Sequence, residues 1–322
     1  MRAAIVREAG QDPVCGDFAE PVAADGEVVV SVRAAAISQV VRSRASSSHY
    51  SSAGSFPFVP GVDGVGRGAD GRRVYFLFPR APYGSMAERT VVSAAQCVPL
   101  PGDLDDVTAA AIANPGMSSW AAYTERARLK AGETVLVNGA TGTAGRLAVQ
   151  IARHLGARKV IATGRNAQSL REVAALGADV VIPLGDDADA LEAAFGEQFA
   201  AGVDVVIDYL WGGSAEALLV AAAKAGPASV PIRYVEVGSV SGARIALPSA
   251  VLRSSAIELM GSGIGSIPLP RLTAVIGDLL RAAVPAGLRI ATSPSPLSDV
   301  AAVWRRDDSR SRTVLAVADS GA

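Results

Sequence analysis

The chain has 322 residues, half of them apolar, and its 30 Lys plus Arg stand against 31 Asp plus Glu. That leaves room for two domains with a sizeable core and no broad basic field for a nucleic acid or an anionic membrane. No uncharged apolar stretch reaches the roughly 18 residues that span a bilayer. The start, MRAAIVREAG, lacks a signal-like core, and Cys15 with Cys97 make neither a disulfide framework nor a metal cluster. The expectation is a soluble, cytoplasmic protein with reduced, buried thiols and a small-molecule partner.

From residue 1 to about 110 the β-like runs AAIVRE, EVVVSVRAAAI, RRVYFLF, ERTVVS and CVPL alternate with Gly, Pro, Asp and Ser clusters. Close spacing of this kind predicts a compact barrel or sandwich. SRASSSHYSSAGSFP (43–57) lacks periodicity and reads as a surface loop, a position from which loops often line sites. Beyond about residue 115 helical stretches alternate with TVLVN, KVIAT, DVVIP, VDVVID, YVEVG and IELMG. Runs without polar alternation are buried on both faces, and strand–helix alternation wires a parallel sheet. Six of them predict a doubly wound α/β fold. A helix near 269–283 and the strands LRIAT and TVLAV are expected to return to the first domain.

The sharpest local signal is VLVNGATGTAGR (135–146), an apolar strand running into a loop almost bare of side chains. Gly139, Ala140, Thr141, Gly142, Thr143, Ala144 and Gly145 carry the pattern AxGxxG between strand TVLVN and helix GRLAVQIARHLG. Missing side chains let a pyrophosphate approach, and the amides and dipole of the helix start meet its charge. An acid after the second strand would hold the ribose diol of NAD. Gly164, Arg165 and Asn166 stand there instead, and a guanidinium suits a 2'-phosphate, so the cofactor expected is NADPH.

VRAAAISQVVR (32–42), FPFVPGVDGVGR (56–67) and NPGMSSWAAYTERARLKAGETVLVNGATGTAG (114–145) together resemble the medium-chain dehydrogenase/reductase superfamily, in its zinc-independent quinone oxidoreductase-like branch. The resemblance covers nearly the whole chain. It implies a GroES-like β-barrel substrate domain over 1–115, completed by 264–322, and an NADPH-binding Rossmann-like domain with a parallel six-stranded sheet over 116–263. It also implies a homodimer formed through IELMG. Where zinc-dependent relatives carry ligands, this chain has Ser38, Val62 and Asn114, or Pro115 if the register slips by one, and the four-Cys structural lobe is absent. No catalytic metal is expected. His49 and His154, the only histidines, read as structural or solvated.

Without a metal, negative charge left on oxygen by hydride transfer must be met otherwise. Quinones and α,β-unsaturated carbonyls delocalise it, so hydrogen-bond donors suffice. Ser38 and Asn114 are the candidate donors, and Tyr50 and Tyr83 candidate proton sources. Tyr83 reads more readily as packing, Tyr50 equally as solvated or as gating the site, and Asp63 as structural. By resemblance Ser118, Leu210, Gly238, Ser239, Gly261, Ser262 and Gly263 lie along the nicotinamide half, at the carboxyl ends of strands. Arg312 is a candidate phosphate contact that reads more readily as a surface charge. The function expected is NADPH-dependent reduction of a quinone or enone. A non-catalytic NADPH-binding sensor or scaffold and a biosynthetic tailoring ene-reductase are the alternatives.

Overall fold

The computed structural model describes residues 1–46, 56–307 and 311–318. Its chain divides into two compact units, Met1–Asn114 with Thr273–Ala322, and Pro115–Leu272.

The first unit contains β1 (Arg2–Ile5), β2 (Val14–Asp17), β3 (Glu27–Ala36), α1 (Gln39–Ala45), β4 (Asp63–Arg67), β5 (Arg73–Leu77), β6 (Arg89–Ser93) and β7 (Cys97–Pro99). Strand β3 is the hub. One edge pairs with β4, and the other pairs with β6 over Glu27–Ser31. Strands β2 and β4 were not legible. VCGD and DGVGR are poor in β-formers, and β4 needs its glycines because a Cβ on Gly64 would come 2.9 Å from Phe76 and 3.0 Å from the Ala34 carbonyl. Side chains such as Ile5, Val30, Ile37, Phe76 and Val92 fill the core. Cys15 and Cys97 are half-buried free thiols rather than fully buried ones.

Helix α2 (Asp106–Ala121) leads, through a π-helical turn at Ala122–Ala127, into the second unit. There β8 (Thr134–Asn138), α3 (Thr143–His154), β9 (Lys159–Gly164), α4 (Ala167–Ala175), β10 (Val180–Pro183), α5 (Ala188–Ala200), β11 (Val205–Asp208), α6 (Gly212–Ala225), β12 (Ile232–Glu236), α7 (Ser249–Arg253) and β13 (Ile257–Gly261) follow in turn. The strands form one six-stranded sheet ordered β10-β9-β8-β11-β12-β13. Every neighbouring pair is parallel. This is the doubly wound Rossmann-like order, and it reverses between β8 and β11. Central β8 and β11 are buried throughout, as continuous apolar runs require, whereas β13 is half-exposed because it stands at the sheet edge. Phe195, Phe199, Leu218 and Leu219 of α5 and α6 seal one face against Leu136, Val206 and Tyr234.

Helix α8 (Leu269–Ala283) contains the second crossing, at residue 273 rather than near 264. After it come β14 (Thr292–Pro296), α9 (Val300–Val303) and β15 (Arg312–Ala316), the last pairing with β3 at Ala34–Ala36. The strand expected at LRIAT forms further along, through TSPSP; its prolines are tolerated because β14 is a sheet edge. Among the described residues no helix is long and apolar enough to cross a membrane.

Candidate functional site

The glycine-rich loop leaves the carboxyl end of β8 beside the point where strand order reverses, which is where open α/β sheets bind ligands. Its glycines differ in purpose. Gly139 turns at φ +85°, a conformation that favours glycine, and a Cβ there would stand 2.8 Å from Leu210 Cγ. Gly145 has no room for a Cβ because the Gly139 carbonyl and Ala140 press on it, which seats α3 hard against the loop. Gly142, the residue preceding α3, is open: a Cβ would meet nothing closer than the Gly139 carbonyl at 3.9 Å. The first helical bond runs from Arg146 N–H to Gly142 C=O at 2.9 Å, so the amides of Ala144 and Gly145 lie ahead of it at the helix start. Bare backbone, open space and a helix dipole fit a pyrophosphate. Arg146 stiffens the loop, its Nε donating to the Thr141 carbonyl at 3.0 Å and its Nη2 to Glu172 at 2.6 Å.

Beneath the loop runs a buried polar brace that sequence reasoning missed. Gly139 N–H donates to Thr163 Oγ1 at 3.0 Å, Thr163 donates to Asn138 Oδ1 at 2.7 Å, and Asn138 Nδ2 donates to Asp208 Oδ1 at 2.8 Å. Asp208 also accepts from Tyr234 Oη at 2.7 Å and from the amides of Leu210 at 2.8 Å and Trp211 at 3.1 Å. One carboxylate thereby ties together the ends of β8, β11 and β12 and holds Trp211 at φ 57°, a strained value for a non-glycine residue. A polar residue closing each of three apolar strands was the available signal. Burial and the Asp208 charge hold the Tyr234 phenol well above its ordinary range.

Arg165 follows β9 and is exposed; its Nη2 donates to Ser241 Oγ at 3.1 Å. Ser241 is itself anchored by its amide to the Leu210 carbonyl at 2.8 Å, so the guanidinium reaches across the end of β8 toward β11. Gly164 is needed because Thr141 packs where its Cβ would be. Asn166 spends its side-chain oxygen on capping α4, accepting from Ser169 N–H at 2.8 Å. Leu210 lies over Gly139, and a Cβ on Gly238 would lie 3.2 Å from the Tyr209 carbonyl. Ser239 and Gly261 line a cavity of about 470 Å³ with Trp211, Glu236 and Met260. Burial, then the Asp208 charge, raises the Glu236 carboxyl above its usual range. Ser262 is buried and Gly263 exposed; their amides bond to the Glu236 carbonyl at 2.8 Å and to Ser266 Oγ at 2.9 Å. Ser118 donates to the Pro115 carbonyl at 2.7 Å, whereas the neighbouring Ser119 meets Tyr209 Oη at 2.7 Å and the Ala144 carbonyl at 3.2 Å. Burial pushes the Tyr209 phenol up to about 12, against the opposing bonds of Ser119 and Ser118.

The remaining candidates, His154 excepted, belong to the first unit. Ser38 is buried and caps α1, its Oγ accepting from Val41 N–H at 3.2 Å. Asn114 Nδ2 reaches Asp63 Oδ1 at 3.4 Å, and Tyr75 Oη donates to Asp63 Oδ2 at 2.9 Å. Burial lifts the Asp63 carboxyl to about 6, against the pull of Tyr75, the Arg312 charge and Asn114. Arg312 is therefore not the surface charge its sequence context favours: it is 6% exposed, and its field acts on Asp63 and Tyr75. Tyr83 packs edge-on against Phe18 and donates to the Glu20 carbonyl at 3.1 Å. His154 lies beside Trp120, while Tyr50 and His49 fall outside the described residues. Val62 is buried and apolar, and among the described residues no three His, Cys, Asp or Glu side chains gather as a metal site would require.

A parallel sheet ordered in this way, with a glycine loop and helix start at its switch point, is the architecture of a dinucleotide-binding α/β protein. A family model described as zinc-binding dehydrogenase matches residues 144–276. The probable NADPH-dependent quinone reductase of Emericella nidulans is 30% identical, covering 90% of this chain and 92% of its own length. The chain belongs to the medium-chain dehydrogenase/reductase superfamily, in its quinone reductase-like branch. The quinone oxidoreductase of Thermus thermophilus, solved also in complex with NADPH, superposes with a TM-score of 0.79 at 27% identity, over 98% of this chain and 100% of that one. The spectinabilin polyketide synthase system protein NorB of Streptomyces orinoci is 34% identical over 79% of this chain, which corresponds to 11% of that much longer protein.

Proposed function

We propose that the chain is an NADPH-dependent reductase that passes hydride to a quinone or an α,β-unsaturated carbonyl and uses no metal. The observation that carries this reading is the open backbone at Gly142 beside the α3 start, with Arg165 where an NAD-specific fold would place an acid. When bound, NADPH supplies the hydride. The chain's own residues do the rest: the amides of the α3 start take the pyrophosphate, Arg165 takes the 2'-phosphate, and Leu210 walls the ribose side. We assign residues 238–239 and 261–263 to the nicotinamide half, a reading supported by the cavity that Ser239 and Gly261 line. Ser38 and Asn114 are the donors we assign to the substrate oxygen, Asn114 being oriented by Asp63. Delocalised acceptors suit such neutral donors, because charge spread over a conjugated system needs less stabilisation than a localised alkoxide.

In this reading the first unit is the substrate domain and the second the NADPH domain, the protein works in the cytoplasm, and the exposed edge of β13 pairs two copies. The resemblance to a polyketide synthase protein favours a second reading in which the acceptor is an enone of a biosynthetic intermediate. Following NADPH absorbance over a panel of quinones and enones tests both. Turnover of quinones supports the first, turnover of enones alone the second, and tight NADPH binding without any turnover would leave a sensor or scaffold.

A further inference from the structure

Helix α1 carries two arginines in its last turn, two residues apart and so on different faces, and they are treated very differently. Arg42 is engaged, its Nε donating to the Trp304 carbonyl at 3.0 Å and its Nη2 to the Arg306 carbonyl at 2.8 Å. Arg44 is half-buried, and among the described residues its guanidinium makes no hydrogen bond or ion pair. It lines a cavity of about 50 Å³ whose walls are Val41, Phe58, Pro60, Pro82 and Tyr83. Burial without compensation is costly for a charge, and it pulls the Arg44 pKa below its ordinary value. No Asp or Glu occurs in the sequence between Arg44 and Asp63, and Asp63 bonds to Tyr75 and Asn114.

The walls are built in advance. Val59 N–H bonds to the Pro82 carbonyl at 2.9 Å, Met86 N–H to the Pro60 carbonyl at 3.1 Å, and Ser85 N–H to the Gly61 carbonyl at 3.2 Å. Gly84 packs so closely on the carbonyls of Val59 and Pro60 that no side chain fits there. These bonds spend backbone groups of the two wall segments on each other, and the Tyr83 hydroxyl points to Glu20. What remains is a rigid apolar recess with one cation at its side. A phosphate or a polyanion would want several donors; a single guanidinium matches a single carboxylate, held by two parallel bonds.

We infer that this recess is a binding site for a small monocarboxylate, its charge on Arg44 and its short apolar body against Phe58 and the prolines. The site lies within the first unit and does not depend on the nucleotide reading. Isobutyrate and the isosteric isobutyramide are the probes, titrated without nucleotide at constant pH and followed by amide chemical-shift perturbation. Isobutyrate should bind the natural chain about tenfold or more tightly than the amide. Arg44→Met should erase that difference, and Arg44→Lys should retain part of it. Equal affinity for acid and amide, or a preference that survives in Arg44→Met, would overturn the site. If Arg44→Met does not fold, the acid–amide comparison in the natural chain and the Arg44→Lys variant still decide the matter.

Discussion

The Asp63 carboxyl sits 3% exposed, with Tyr75 and Asn114 as partners and the Arg312 charge nearby. Its folded pKa of about 6 exceeds the ordinary 3.8, so between those values the folded chain holds a proton that the unfolded chain has released. Stability from this group is complete below about pH 4 and is lost as pH rises through about 6, on the order of 2 to 3 kcal/mol. Urea melts of the natural chain and Asp63→Asn should therefore diverge in slope across that window and run parallel above pH 7. At Arg165 the expectation concerns selectivity. Arg165→Ala should weaken NADPH by about 1.5 to 3 kcal/mol and barely change NADH, as fluorescence titration would show; equal losses would remove the NADP assignment. Arg165 could be found in the sequence because it replaces an acid at a known distance from a strand. Arg312 and Asp63 could not be paired that way, since their attraction depends on β4 and β15 flanking the same strand, β3.

The strand, loop and helix formed by β8, the glycine segment and α3 assign separate tasks to residues that look alike in the sequence. Gly142 has φ −75° and ψ 167°, which any L-residue adopts, and open space beside it. Gly142→Asp should leave the melting temperature unchanged or slightly higher, because Asp is a good helix cap, yet lower NADPH affinity at least tenfold by setting a negative charge against the pyrophosphate. Gly145→Ala should do the reverse, costing about 1 to 3 kcal/mol of stability through collision with Gly139 and Ala140. Paired melting curves and nucleotide titrations separate the two effects. The Rossmann-like strands were legible because long Val and Ile runs bound by turns carry their own signal. Strands β2, β4 and β14 were hidden because segments such as DGVGR and TSPSP pair through their surroundings, against local propensity.

For the assembled chain, the proposed function has two thermodynamic consequences. NADPH at about a hundred times its dissociation constant should stabilise folding by roughly 2.7 kcal/mol, visible as a raised melting temperature that NADH at the same concentration does not match. On the proposed metal-free reading, dialysis against a strong zinc chelator should leave reductase activity unchanged; loss of activity restored by zinc would refute that chemistry. From the order of residues alone came the alternation of strands and helices, the glycine-rich loop and the basic residue after the second strand. Each is written in contiguous residues, where period, turn preference and missing side chains act within a few positions. Only the folded arrangement revealed the Asp208 brace, the burial of Arg312, the capping duties of Ser38 and Asn166, and the place of Arg44 beside an apolar recess. The physical reason is that burial and long-range hydrogen bonds depend on which distant segments meet, and local preference leaves that undetermined.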